Sequence, residues 1–125
     1  PFSMINASVS NNAEEGIAIG PGANVEGIEF INVNANNNGR WNLWLISYLG
    51  YAVNDITIEN CTFNGSTGAG EGYGLYLYIT SSNSELTNLS VVNSEIANNN
   101  IGVYLRAGTT MFDLSDNSMH YNNIM

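Results

Sequence analysis

Four short stretches share one pattern, a small or polar residue followed by an apolar–x–apolar triplet: GIAI (16–19), NLWL (42–45), GLYL (74–77) and GVYL (102–105). The residue between the two apolar positions is Ala18, Trp44, Tyr76 and Tyr104 in turn. Alternate side chains of a strand leave opposite faces, so this residue lies on the face away from its apolar neighbours. With the stretches stacked in register, three aromatic rings follow one another at about 4.8 Å. Tyr78 and Arg106 stand two residues further along their strands. Such a strip suits sugar rings or the apolar surface of a neighbouring subunit, with hydroxyl tips and a guanidinium for hydrogen bonds.

Other chemically able residues are scattered. Glu14, Glu15, Glu26, Glu29, Glu59 and Glu71 fall on turns or outward strand positions. Glu29 and Asp113 share a column, but units carrying Thr57 and Ser90 separate them. That gap exceeds the roughly 5–10 Å over which two carboxyls act as an acid–base pair. Loop carboxylates are oxygen donors of the kind Ca2+ takes, which makes Ca2+ the one cofactor to consider, yet no twelve-residue Ca2+ loop or nonapeptide repeat occurs. His120 is the sole imidazole and Cys61 the sole thiol, so no metal cluster or triad assembles around either. Cys61, inside a repeat, is expected to be a small buried hydrophobe, and no intrachain disulfide can form. Asn-x-Ser/Thr sequons begin at Asn6, Asn60, Asn64 and Asn88. Asn64 and Asn88 are read as loop residues and glycosylation candidates, whereas Asn6 and Asn60 are assigned to an inward ladder closed to a glycan.

Eleven acidic residues face only Arg40 and Arg106, for a net charge of −9. Nucleic-acid binding needs cations to neutralise phosphates, and so does docking on an anionic membrane. No apolar run reaches the length of a spanning helix. Asn, Gly, Ser and Thr are abundant, a composition for turns and β-structure.

The elements that must position the strip come from an eight-residue phrase: FSMINASV, IEFINVNA, ITIENCTF, LSVVNSEI and FDLSDNSM, starting at Phe2, Ile28, Ile56, Leu89 and Phe112. Positions one and three are apolar in every copy, a period of two that marks a strand with one buried face. Position eight supplies a further plug at Val9, Ala35, Phe63, Ile96 and Met119. Position five reads Asn6, Asn32, Asn60, Asn93 and Asp116, a column whose amides can bond to the units above and below and which tolerates left-handed backbone. Repeats of this length mean a solenoid, each unit burying its apolar face only by stacking. The expected fold is all-β, a single parallel β-helix domain over 1–125 with about five rungs, a rod of roughly 24 Å. No polar cap precedes Phe2, and the last unit stops part-way, as in a segment of a larger solenoid or a subunit that stacks end to end.

The apolar-x-apolar-x-Asn phrase, the Asn-rich turn and the Gly-apolar-x-apolar strand resemble the right-handed parallel β-helix of the pectate-lyase-like superfamily, over essentially the whole chain. The resemblance implies right-handed coiling and an extracellular or cell-surface setting. It leaves activity open, because that architecture hosts lyases, polygalacturonases, epimerases, tailspikes and adhesins. The enzymes' motifs do not carry over: there is no Lys, no paired Asp and no Gly-His-Gly, and Arg40 and Arg106 lie in separate units. The leading expectation is a secreted scaffold offering its aromatic strip to a polysaccharide or a neighbouring subunit. A fragment of a polysaccharide lyase or glycoside hydrolase, with catalytic residues elsewhere, is the alternative.

Overall fold

The computed structural model describes residues 1–20, 22–47, 51–79, 85–106, 108–109, 112–113 and 118–120, with side chains through Arg106 save at 79 and 85–87. The first pass of the chain runs β1 (Phe2–Ile5), β2 (Ser8–Ser10) and β3 (Glu15–Ile19). The second runs β4 (Val25–Ile31), β5 (Asn34–Asn36) and β6 (Trp41–Ser47). The third runs β7 (Val53–Glu59), β8 (Thr62–Asn64) and β9 (Tyr73–Ile79), and the fourth β10 (Glu85–Val92), β11 (Glu95–Ala97) and β12 (Ile101–Arg106). The last strands are short: β13 (Gly108–Thr109), β14 (Phe112–Asp113) and β15 (Ser118–His120).

Each strand of the first three passes pairs in parallel with its counterpart one pass later, giving three sheets wrapped around one interior. Phe2, Ile28, Ile56, Leu89 and Phe112 align as direct partners, so the phrase sets the register. The chain is an all-β parallel solenoid, and no helix occurs among the described residues. Four passes carry all three strands, which from the first to the last makes about three turns and corrects the expectation of five rungs. The third sheet ends at β12, and β13, β14 and β15 pair over only two or three residues each.

The interior is filled by the alternating apolar positions. Ile28, Phe30, Ile56, Ile58, Leu89 and Val91 of the long strands meet Leu43, Leu45, Leu75 and Leu77, with Ala35, Phe63 and Ile96 as plugs, all at 2% exposure or less. Cys61 is buried among them, and burial pushes its thiol pKa up, as suits a packing residue.

The corners are where the backbone must bend without orphaning its polar groups. Asn6, Asn32, Asn60 and Asn93 all have positive φ, between 50° and 55°. The N–H groups of Asn6, Asn32 and Asn60 donate to the carbonyls of Ile31, Glu59 and Val92 in the next pass, at 3.0, 3.0 and 3.3 Å. These four side chains are exposed, which overturns the expected inward ladder. The left-handed residue forms the outer bend, and the interior is entered by the next residue: Val33, Cys61 and Ser94 are buried. The Asn32 amide does donate to Asn6 Oδ1 at 2.9 Å. Asp116 lies outside the described residues.

Side chains bridge neighbouring backbones in a different column. Asn36 N–H donates to Ser10 Oγ (3.3 Å), Asn64 N–H to Asn36 Oδ1 (2.9 Å) and Ala97 N–H to Asn64 Oδ1 (2.8 Å).

At the corner leading into the third sheet, a chain of amides runs inside the coil. Asn12 donates to Asn38 Oδ1 (2.9 Å), Asn38 to Asn42 Oδ1 (2.9 Å) and Asn42 to Asn99 Oδ1 (3.1 Å). Asn38, Asn42 and Asn99 are at most 3% exposed. Asn38 also donates to Val9 O and Asn99 to Phe63 O, so amides absorb carbonyls the sheets leave over. A Cβ on Gly16 would overlap the Asn38 amide, and one on Gly74 would crowd Asn99 Nδ2. This explains the glycine that opens the GIAI and GLYL stretches.

Two outcomes test this. Asn60→Ala should cost about 1–2 kcal/mol in denaturant unfolding, because a Cβ without a compensating amide is strained at positive φ, while Asn60→Gly should be close to neutral. Equal stability of the alanine variant would remove the corner strain from the account. Asn42→Leu should cost about 1–3 kcal/mol by stranding the amides of Asn38 and Asn99; an unchanged midpoint would mean the amide chain is dispensable.

Candidate functional site: an aromatic wall on the third sheet

Register in the third sheet is Ala18 to Trp44 to Tyr76 to Tyr104, with Ile46, Tyr78 and Arg106 aligned two residues on. The structure therefore brings Trp44, Tyr76, Tyr104, Tyr78 and Arg106 to one outer face. The rings of Tyr76 and Tyr104 lie 4.9 Å apart and within 9° of parallel. Parallel rings that close must overlap, since a ring is wider than this edge to edge, so each covers a face of the other. What this pair leaves for a ligand is mainly edges and hydroxyls. Tyr78 approaches both rings, with centroids 5.8 and 6.3 Å away.

A second column lies beneath and was not found from the sequence. Trp41, Tyr73 and Ile101 are register partners, exposed by only 8%, 9% and 6%. Trp44 stacks on Trp41 at 5.6 Å, and Tyr76 meets Tyr73 edge-on at 4.9 Å. Together these three and Trp44, Tyr76 and Tyr104 form an apolar cluster separate from the interior core. The signal was present in the residue immediately before each Gly or Asn of the repeated stretch, where Glu15 is succeeded by Trp41, Tyr73 and Ile101. Trp41 Nε1 is buried and has no hydrogen-bond acceptor among the described residues. Burial also raises the pKa of the Tyr73 hydroxyl.

Both cations of this acidic chain belong to the wall. Arg40 lies 4.1 Å over the Trp41 ring and bonds Glu14 (3.2 Å) and Glu71, so it ties together three successive passes. Its pKa is raised, chiefly by the hydrogen bond to Glu71. Arg106 sits 5.2 Å over the Tyr78 ring and donates to its hydroxyl at 3.0 Å.

Elsewhere, Glu29 accepts a hydrogen bond from Ser3 Oγ. No group of three or more His, Cys, Asp or Glu side chains among the described residues could hold a metal ion. The side chains of Asp113, Met119 and His120 lie outside the described set. The sequons expected in loops are in strands: Asn64 is in β8 and Asn88 in β10. Asn64 uses its carbonyl on Ala97, and Ser66 of that sequon is fully buried with its hydroxyl on Arg40 O at 2.8 Å. Asn88 is exposed and donates to Asp55 Oδ1 at 2.6 Å. The corner periodicity that fits a loop also fits a left-handed residue inside a strand, as at Gly27, Asp55 and Asn88. No family model, curated protein or solved structure matches the chain.

The Arg40 clamp predicts a salt-sensitive contribution to stability. Arg40→Gln should lower the thermal midpoint at low ionic strength, and the deficit should shrink at about 1 M salt, where screening acts within roughly 3 Å. A deficit independent of salt would assign Arg40 to packing on Trp41 alone.

Proposed function

We propose that the protein is a structural, adhesive solenoid module of the extracellular or cell-surface kind, which engages a polysaccharide through the aromatic wall of its third sheet. We infer also that the coil is right-handed, in keeping with the rule for parallel crossovers, and akin to the pectate-lyase-like superfamily. The observation that carries this reading is the wall itself. Six residues, five of them aromatic, form a cluster on the outside of a molecule whose core is complete without them. An outer apolar surface tipped with tyrosine hydroxyls and a guanidinium is what carbohydrate contact and adhesion require, an apolar body with hydrogen bonds at its rim. The rigid register of parallel strands holds these groups without a loop to order on binding.

Titration of neutral and acidic oligosaccharides, monitored by tryptophan fluorescence, tests the proposal. Trp44→Ala should bind about two- to tenfold more weakly, the loss of one ring contact of about 0.5–1.5 kcal/mol. No binding by the native protein, or equal binding by both, rejects the polysaccharide. Light scattering that then showed mass rising with concentration would assign the wall to a neighbouring subunit.

A further inference from the structure

We propose that Tyr104 is a site of oxidative cross-linking, coupling to Tyr76 or Tyr78 of β9 so that two successive passes become covalently stapled. The ring of Tyr104 is 4.9 Å from that of Tyr76 and 6.3 Å from that of Tyr78, and backbone pairing keeps these strands in fixed register. Groups held in contact react as though at very high concentration, which favours coupling within the chain over coupling between chains. Tyr73 is also near Tyr104, at 5.9 Å, but it is 9% exposed and burial raises its hydroxyl pKa, so it is screened from the oxidant and gives up a proton less readily than an ordinary phenol. The chain's single cysteine, buried in the core, leaves no disulfide route to such a staple.

The chemistry balances with hydrogen peroxide and a one-electron oxidant of the haem-peroxidase class. Each of two phenols gives up one electron and one proton. The resulting phenoxyl radicals join through one carbon–carbon bond between positions ortho to their oxygens. The hydrogen at each joined carbon then moves to its oxygen, restoring both phenols. One peroxide accepts the two electrons and two protons and leaves as two waters. The closed loop restricts the unfolded chain as a disulfide would, so the staple should stabilise the solenoid. None of this depends on what docks against the wall.

Dilute native protein treated with peroxidase and peroxide should show dityrosine fluorescence, a mass lower by two hydrogens at unchanged chain length, and a proteolytic fragment joining β9 to β12. Its thermal midpoint should rise after oxidation. Tyr104→Phe, which keeps the ring and its packing, should lose both the fragment and the rise, whereas Tyr51→Phe, at a tyrosine that leads into β7 of the first sheet, should retain them. Covalent dimers in place of the intrachain product, full yield in Tyr104→Phe, or a link mapped to Tyr73 or Tyr51 would overturn the assignment.

Discussion

The structure depends on satisfying backbone hydrogen bonds at the places where a parallel coil turns. Along the strands each N–H and C=O finds a partner one pass away, so sheet interiors present no difficulty. At the corners the chain changes direction while the same pairing must continue at the same height. A left-handed residue achieves the bend in one step, and asparagine enters that conformation at lower cost than other residues with a Cβ. Asn6, Asn32, Asn60 and Asn93 do this at one corner, and Asn11, Asn37, Gly65 and Asn98 at another. Because the bend is completed within one residue, the next can drop straight into the core, as Val33 and Cys61 do.

The aromatic wall is a consequence of the corner that precedes it. Asn38, Asn42 and Asn99 fill the interior beside the start of the third sheet and donate to the carbonyls of Val9, Asn64 and Phe63, the second of which also accepts the Asn37 N–H. With amides inside, Trp41 and Tyr73 are carried on the outer side, where they pack against the rings of Trp44 and Tyr76. Arg40 completes the arrangement, its guanidinium over one ring and its charge shared between carboxylates from the passes on either side. A buried polar chain on one side of a sheet and a buried aromatic layer on the other leave little freedom for the strand between them.

Register was fully legible in the sequence, because one apolar-x-apolar phrase aligns with itself and a slip of one residue would turn every core side chain outward. The strip of Trp44, Tyr76 and Tyr104 emerged from the same alternation. Side-chain direction at the Asn column was not legible. A repeated asparagine serves equally as an inward amide or as a left-handed bend, and only φ separates the two. The amide chain was hidden for a related reason: Asn42 stands where Gly16 and Gly74 stand, and those glycines leave open the space that the amides of Asn38 and Asn99 occupy. Trp41 and Tyr73 were missed because a strict period of two, carried back through Asn42, places them with the core. The strand departs from that period where Leu43 resumes pairing after Asn42. The number of turns was overread because the phrase at Phe112 was counted as a full rung, whereas the third sheet ends one pass earlier, at β12.

In a solenoid each pass packs chiefly on its neighbours, so stability is close to a sum of local interfaces; the Asn42–Asn99 bond, from the second pass to the fourth, is an exception. Most interfaces here are aliphatic and interchangeable, which gives no reason for one outer face to differ from the others. The third sheet differs because its contacts are specific: rings meet rings at defined angles, and each arginine has one ring to cover. The other two outer faces carry mostly Ser, Thr, Asn and Glu, with Ile5, Ile31 and Val92 among them on the first sheet, and these polar residues hydrate well. The adhesion proposed for the third face rests on this contrast, between the apolar surface offered there and the acidic charge of the molecule as a whole. The two ends of the wall also differ, with Arg40 flanked by carboxylates at one and Arg106 on a tyrosine at the other.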